Sequence, residues 1–268
     1  MSNPGARWFS ADPGKAWAEK FFLFYSPAWM AVMALSMVLG LPRKLGDAGL
    51  LALSLLVALP LFVFPLLLRR GKDSVPWLRS YWFKANLYIA LFSFVGNYFG
   101  SEYFFDVLGM TYRFPRIRLN LDSTLLGSGR QEVPLAMYFF THAYFMTYHT
   151  SAAVVLRRIR TSRIPAKALL FPCAVAAVAY FWAWAETFAM ANPLMEGIFG
   201  YADRGRMLVF GSLFYALYFL VSFPLFLSID EREDRPWNPS RVALGGLAAG
   251  MLTLLLLDLA TRFVGAIT

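Results

Sequence analysis

Three kinds of residue are scarce in this chain. Of its 268 residues, two are histidine, one is cysteine and 15% are charged. Two histidines are too few for a histidine-rich di-iron membrane oxidase, and one cysteine can form neither an intramolecular disulfide nor a zinc site. Soluble domains carry roughly a quarter charged residues. The shortage of charge therefore argues against a water-soluble protein.

Hydrophobic residues, by contrast, make up 59% of the chain and are concentrated in long runs. A bilayer-spanning helix needs roughly 20 mostly apolar residues. Seven windows qualify: residues 21–41, 48–68, 81–108, 133–156, 167–190, 207–228 and 242–267. They predict an all-α polytopic membrane helix bundle of about seven transmembrane helices, forming a single integral-membrane domain over residues 1–268. Pro60 and Pro65 should kink the second helix, and Cys173 is interpreted as a core residue of the fifth.

The distribution of basic residues predicts the orientation. Sixteen of the 25 Lys and Arg residues belong to the N-terminal tail and the even-numbered loops, and nine to the other side. The positive-inside rule then makes residues 1–20 a cytoplasmic tail, and no cleavable signal peptide is evident. Since the net charge of +9 lies in short loops, we expect contacts with membrane lipid headgroups and none with nucleic acid. The longest connection, residues 109–132, predicts a flexible loop that could act as a lid.

Polar residues inside the apolar windows are costly in lipid and should face the bundle interior. They fall on helical stripes in five windows: Asn86, Ser93 and Asn97; Tyr138, His142 and His149; Trp182 and Glu186; Ser212, Tyr215, Tyr218 and Ser222; Asp258 and Arg262. Glu102 and Asp106 form an i, i+4 carboxylate pair near the end of the third window. Each stripe has a structural interpretation, as hydrogen bonds between helices or satisfied core histidines, beside a functional one as pocket lining or catalysis. For Asp258 and Arg262, an i, i+4 ion pair is expected.

Several chemistries are excluded by missing motifs. The last window has no lysine for retinal, and neither a phosphate-binding glycine loop nor a dinucleotide fingerprint occurs. The sequence shows no internal repeat, so an inverted-repeat transporter is not favoured. Proton chemistry on an apolar molecule remains, or lipid binding and transport. We expect no cofactor and no metal.

Several stretches resemble the cycloeucalenol cycloisomerase family of plant sterol biosynthesis. They are YWFKANLYIALFSFVGNYF from Tyr81, YFFDVLGMTYRFP from Tyr103, THAYFMTYH from Thr141, LRRIR from Leu156, AETFAMAN from Ala185, LFYALYFLVSFPLF from Leu213 and SRVA from Ser240. Weaker similarity begins near Phe21. Two departures concern the substrate more than the reaction. The plant pattern has a histidine about where Glu102 stands, and residues 119–131 are longer than their counterpart.

The resemblance implies an isomerase that opens the 9β,19-cyclopropane ring of a cyclopropyl sterol, cycloeucalenol to obtusifoliol. Such a reaction needs protonation of C19 and loss of the C8 proton, without a cofactor. We assign the proton chemistry to Glu186, His149 and His142, with Glu102 as the next candidate. The predicted substrate-binding residues are Asn97, Asn86, Tyr138, Trp182, Tyr215 and Tyr218.

Two alternatives stay open: a sterol double-bond isomerase, and a non-catalytic sterol-binding or transport membrane protein. The expected partners are a sterol taken from the bilayer and membrane lipid. The expected location is the cytoplasmic membrane in a bacterium or the endoplasmic reticulum in a eukaryote. The sequence does not indicate an oligomeric state.

Overall fold

The computed structural model describes residues 5–69, 75–232 and 234–266. The first four residues of the predicted tail and the last residue of the seventh window lie outside these ranges. The helices are α1 (Pro13–Val38), α2 (Leu41–Lys44), α3 (Asp47–Ala58), α4 (Pro60–Arg69), α5 (Tyr81–Val95), α6 (Ser101–Asp106), α7 (Leu135–Thr161), α8 (Lys167–Met190), α9 (Arg204–Arg206), α10 (Ser212–Ser228) and α11 (Pro239–Val264). Two short strands, β1 (Met110–Tyr112) and β2 (Phe199–Tyr201), are the departure from an all-α fold.

Five helical stretches among the described residues are long and apolar enough to cross a membrane. They are Pro13–Val38, Asp47–Arg69, Lys167–Met190, Arg204–Ser228 and Pro239–Phe263. The predicted membrane helix bundle is confirmed to this extent. The windows at residues 81–108 and 133–156 are also helical, but the total of seven spans is not confirmed. In the first of these, a π-helical segment, Gly96–Gly100, separates α5 from α6.

Helix α7 lies at the centre of the bundle. It contacts α1, α3, α5, α8 and α10, and the nine successive residues 142–150 are all buried. A helix enclosed on every side by protein does not need a lipid-facing apolar surface. This position explains why α7 carries both histidines of the chain.

The prolines of the second window act as expected on the backbone. The helix is interrupted at Leu59, between α3 and α4, immediately before Pro60. Pro65 has no N–H to donate to the carbonyl of Leu61, one turn earlier. The side-chain amide of Asn86 donates to that carbonyl instead, at 3.0 Å, and so connects α5 to α4.

An antiparallel ribbon closes one end of the bundle. Its register pairs Met110 with Tyr201 and Tyr112 with Phe199, which places these four side chains on one face. The long loop between β1 and α7 folds against the ribbon, since Gln131 accepts a hydrogen bond from the backbone N–H of Tyr112 at 3.1 Å. The loop also carries a bridge between Asn120 and Pro134. Whether it moves as a lid stays a prediction.

A buried ion cluster joins three chain segments at the opposite end. Arg157 of α7 bonds Glu19 at 2.5 Å and Glu231 at 2.8 Å, and Lys15 of α1 bonds Glu231 at 2.9 Å. Burial alone would raise the pKa of Glu231, but hydrogen bonds from Arg157 and the charge of Lys15 outweigh it and hold that pKa at about 2. No stripe in the sequence indicated this cluster, because its members come from three distant regions.

The outer surface of the bundle gives two further outcomes. Cys173 is exposed on α8, so its interpretation as a core residue was wrong. It lies on the face opposite the buried stripe of that helix, Val175, Ala179, Ala183 and Thr187. The ion pair expected between Asp258 and Arg262 is confirmed, with 3.1 Å between its charged atoms. Both side chains are exposed, so their expected position in the bundle interior was wrong.

Candidate active site

Glu186 lies in the last turns of α8, beside the stripe of small residues that packs on the bundle. Small side chains at Ala179 and Ala183 let α8 approach α10 closely. The hydroxyl of Tyr215, on α10, donates a hydrogen bond to Oε2 of Glu186 at 2.6 Å. Glu186 as a whole residue is only partly buried.

Aromatic rings surround this carboxyl group. Trp182, one turn before Glu186, stacks on Tyr148 of α7 with 4.4 Å between ring centroids, and the Tyr148 hydroxyl also faces the carboxyl group. The Tyr215 ring packs edge-on against Phe104 at 4.8 Å. Aromatic faces attract cations, and hydroxyl groups that face a carboxylate can relay protons. Chemically, the arrangement can hold a proton and stabilise a positive charge.

Tyr218 lies one turn from Tyr215, with 5.4 Å between the rings. Its hydroxyl is buried and has no hydrogen-bond partner among the described residues. Gly100 faces it so closely that a Cβ there would lie 1.8 Å from the hydroxyl oxygen. Gly100 ends the π-helical segment Gly96–Gly100, and a second such segment, Met207–Gly211, precedes α10. Single-turn π-helices occur frequently at functional sites. The first contacts Tyr218 through Gly100, and the second ends four residues before Tyr215.

His149 lies apart from this carboxyl group, inside an aromatic cage. Its Nδ1 donates to the backbone carbonyl of Phe145 at 2.7 Å, and its Nε2 lies 2.8 Å from the hydroxyl of Ser222. Rings of Phe92, Phe145, Phe219, Phe223 and Phe226 surround it at centroid distances of 4.9 to 6.0 Å. Both ring nitrogens are satisfied within the protein, as in a structural core histidine.

His142 belongs to the contact between α7, α5 and α4. Its Nε2 lies 2.9 Å from Oδ1 of Asn86, and its ring stacks on Phe62 at 4.9 Å. The amide nitrogen of Asn86 donates to two backbone carbonyls, so its oxygen accepts from His142. This pair connects three helices and does not contact Glu186.

The remaining predicted residues lie near the long loop or within α5. Glu102 is buried beneath Gly127, whose φ of +81° is a conformation that favours glycine. The hydroxyl of Tyr138 donates to the carbonyl of Leu121 at 2.7 Å. Asn97 donates to the carbonyl of Ser93 at 2.8 Å and accepts from Thr141 at 3.3 Å. The structure thus brings Glu186, Trp182, Tyr215 and Tyr218 together, and places His142, His149, Glu102, Asn86, Asn97 and Tyr138 elsewhere.

Several tyrosines near Glu186 were not singled out from the sequence. They are Tyr112 on β1, Tyr144 and Tyr148 on α7, and Tyr201 on β2. The i, i+4 spacing of Tyr144 and Tyr148 is a detectable signal in the sequence, but the histidine stripe on the same helix is the more conspicuous one. Tyr112 and Tyr201 lie in loops by hydropathy, so no periodicity marked them. No cluster of three or more metal-ligating side chains occurs within the described ranges.

The apolar helices and the carboxyl–tyrosine group inside their bundle define a helical membrane protein with a polar internal site. The chain is 41% identical over 276 residues to cycloeucalenol cycloisomerase of Arabidopsis thaliana, a match that covers 99% of this chain and 92% of the relative. It matches no family model and no solved structure. At this identity and coverage, the chain belongs to the cycloeucalenol cycloisomerase family and is an isomerase.

Proposed function

We propose that this isomerase opens the 9β,19-cyclopropane ring of a cyclopropyl sterol, converting cycloeucalenol to obtusifoliol. The observation that carries the proposal is the identity of 41% along nearly the whole chain to a relative named for this substrate. The carboxyl group of Glu186, hydrogen-bonded to Tyr215, gives the bundle a group suited to proton transfer.

The proposed reaction moves one proton in and one proton out. A proton from the Glu186 carboxylic acid adds to C19, and the C9–C19 bond supplies the electron pair of the new C–H bond. Positive charge is left at C9. The C8–H bond then supplies the electrons of the C8–C9 double bond, and its proton returns to the carboxylate. Because both protons lie on the same face of the sterol, one carboxyl group can donate and accept.

The surrounding groups have separate roles in this mechanism. The carboxylate left after the first step and the rings of Trp182 and Tyr215 stabilise the cation at C9, an electrostatic effect that is often the largest catalytic contribution. Tyr148 and Tyr215 hold the carboxyl group in one orientation. Tyr218 has an unsatisfied buried hydroxyl that a substrate contact would satisfy. His142 and His149 act on the site only through the packing of α7.

We propose that the protein spans the membrane seven times with its N-terminus in the cytoplasm. The five long apolar helices support five spans, and the central position of α7 and the helical continuity of α5 with α6 support the other two. In a Cys173→Ser background, cysteines at Gly5 and Gly265 should react with impermeant reagents from opposite sides. Labelling from the same side would contradict an odd number of spans. The membrane would be the cytoplasmic membrane in a bacterium and the endoplasmic reticulum in a eukaryote.

The proposed reaction is tested by incubating membranes that contain the protein with cycloeucalenol and analysing sterols by mass spectrometry. Obtusifoliol should form without added nucleotide, flavin or metal. A sterol with the cyclopropane ring intact and a shifted double bond would instead indicate a double-bond isomerase. Bound but unchanged cycloeucalenol would indicate a sterol-binding protein.

A further inference from the structure

A cleft of about 660 Å³ lies between the ribbon and the end of α8. Its apolar wall includes Ala191, Pro193, Phe199 and Tyr201, and Arg113 and Glu196 also line it. We call this space the ribbon cleft. Its volume lies within the roughly 300–1,000 Å³ that small-molecule sites occupy.

Tyr201 connects the ribbon cleft to Glu186. The side chain lines the cleft, and its hydroxyl faces Thr187, the residue that follows Glu186. Because Tyr201 is only partly buried, a molecule in the cleft can contact its ring. A molecule bound in the cleft would therefore reach Glu186 by contact with, or displacement of, this one side chain.

The composition of the cleft matches one end of a sterol. A sterol in a bilayer keeps its 3-hydroxyl at the level of the headgroups and its rings in the apolar region. The ribbon cleft has the same polarity, with Arg113 and Glu196 beside an apolar wall. A neighbouring cleft of about 690 Å³ shares Arg113 and Glu196 with the ribbon cleft but is also lined by Arg43, Arg130 and Glu132, and so suits apolar rings less well.

We infer that the ribbon cleft binds the hydroxyl-bearing end of the sterol, and that Tyr201 is a positioning residue between this site and Glu186. This inference rests on the proposed function for the identity of the ligand. The 3-hydroxyl hydrogen-bonds to Arg113 or Glu196, and the apolar wall contacts the first ring. The reacting carbons then lie deeper, on the side of Tyr201 that faces Glu186.

The test uses the full-length protein in membranes and a sterol with a diazirine on ring A, the ring that bears the 3-hydroxyl. Light should attach this probe to peptides covering residues 109–113 or 191–204, and excess cycloeucalenol should suppress the labelling. Binding is thus measured without turnover. If the probe labels these peptides but no obtusifoliol forms, the proposed function fails and the binding site stands. Labelling confined to peptides outside these two ranges would overturn the inference, whatever the turnover.

Two substitutions of Gly200 should block the cleft to different extents, because the introduced side chains differ in size. An added Cβ at Gly200, which lines the cleft, would meet no atom within 4 Å, so Gly200→Leu and Gly200→Trp project into open space. Gly200→Trp should lower labelling and kcat/KM at least about tenfold, mostly through KM. Gly5→Trp is the matched control, since its Cβ also meets nothing within 4 Å and it lies at the opposite end of the bundle.

The outcomes separate blockade from misfolding. If Gly200→Trp has a lower melting temperature than Gly5→Trp, labelling and kcat/KM are measured in the smaller Gly200→Leu variant instead. We expect Gly200→Leu to lower both quantities less than Gly200→Trp does. Normal labelling and normal kcat/KM in a stable Gly200→Trp protein would overturn the inference. Tyr201→Phe keeps the ring but removes the hydroxyl, and should lower kcat more than it raises KM. An unchanged kcat in Tyr201→Phe would show that Tyr201 is not a positioning residue.

Discussion

Glu186 and the two histidines have different surroundings, although all three residues sit on polar stripes inside apolar windows. Both nitrogens of His149 are paired at 2.7 and 2.8 Å within an aromatic cage. His142 bonds Asn86, whose amide replaces the donor that Pro65 lacks. Glu186 alone of the three is partly accessible and bonded to a side chain that can itself carry a proton. The position of a polar residue on such a stripe predicts that it lies in the bundle interior. It does not distinguish a catalytic side chain from one that only packs.

Glu186→Gln should lower turnover by on the order of 10²–10⁴-fold, because the amide keeps the size of the side chain but cannot donate an acidic proton. Tyr215→Phe should cost less, since it removes only the 2.6 Å hydrogen bond to Oε2. The measurement is the initial rate of obtusifoliol formation, normalised to folded protein.

Tyr25→Phe is the matched control for Tyr215→Phe. Its hydroxyl also donates one hydrogen bond, to the carbonyl of Val57 at 2.8 Å, but lies away from the site. It should leave the rate near that of the parent protein. A Glu186→Gln variant with near-normal turnover would exclude Glu186 as the acid and direct attention to Glu102 and His142.

At the scale of elements, hydropathy located the helices because ~20 apolar residues have few other uses. The break before Pro60 has a local chemical cause that the sequence shows directly, because proline has no N–H. Hydropathy could not locate the ribbon, since β1 and β2 have three residues each and lie far apart in the chain. The π-helical segments were equally invisible, because hydropathy does not distinguish a π-helical backbone from an α-helical one.

Gly100→Ala tests whether the first π-helical segment is shaped by its contact with Tyr218. The new Cβ would lie 1.8 Å from the hydroxyl oxygen and 2.9 Å from the ring carbon that bears it. Overpacking of this kind typically costs ~1–3 kcal/mol. We expect a lower melting temperature in detergent and reduced turnover.

Gly96→Ala provides a graded comparison, since its Cβ would meet the same ring at 3.2 Å and should cost less. Combining Gly100→Ala with Tyr218→Phe should restore part of the stability, because the closest atom is removed. If Gly100→Ala were as stable as the parent protein, the close approach would not be a constraint.

At the scale of the whole molecule, the two ends of the bundle differ in what closes them. The end that bears the ion cluster joins α1, α7 and the segment after α10 through Lys15, Glu19, Arg157 and Glu231. The other end has the ribbon, the long loop and the clefts. Glu186 lies toward the second end. This division suits an enzyme whose rigid end holds the helices together while its other end admits a lipid.

The ion cluster predicts a loss of stability in acid. The folded-state pKa of Glu231 is about 2, below the usual value for a glutamate, so its contribution to stability is complete above the pKa of the unfolded chain. That contribution is lost as the pH falls from ~4.5 towards ~2. Melting temperatures in detergent should fall across this range.

Glu231→Gln should lower the melting temperature at neutral pH and flatten its decline in acid, because the titrating group is gone. An equal decline in both proteins would assign the acid sensitivity to other carboxyl groups.

The most direct test of the central claim, proton-initiated opening of a cyclopropane ring, is the position of deuterium in the product. Membranes containing the protein are incubated with cycloeucalenol in deuterated water, and obtusifoliol is analysed by mass spectrometry and NMR. The account requires the carboxyl proton of Glu186 to exchange with solvent between turnovers, so the product should carry one deuterium, in the C19 methyl group. Obtusifoliol without deuterium at C19, or unconverted cycloeucalenol, would contradict the account.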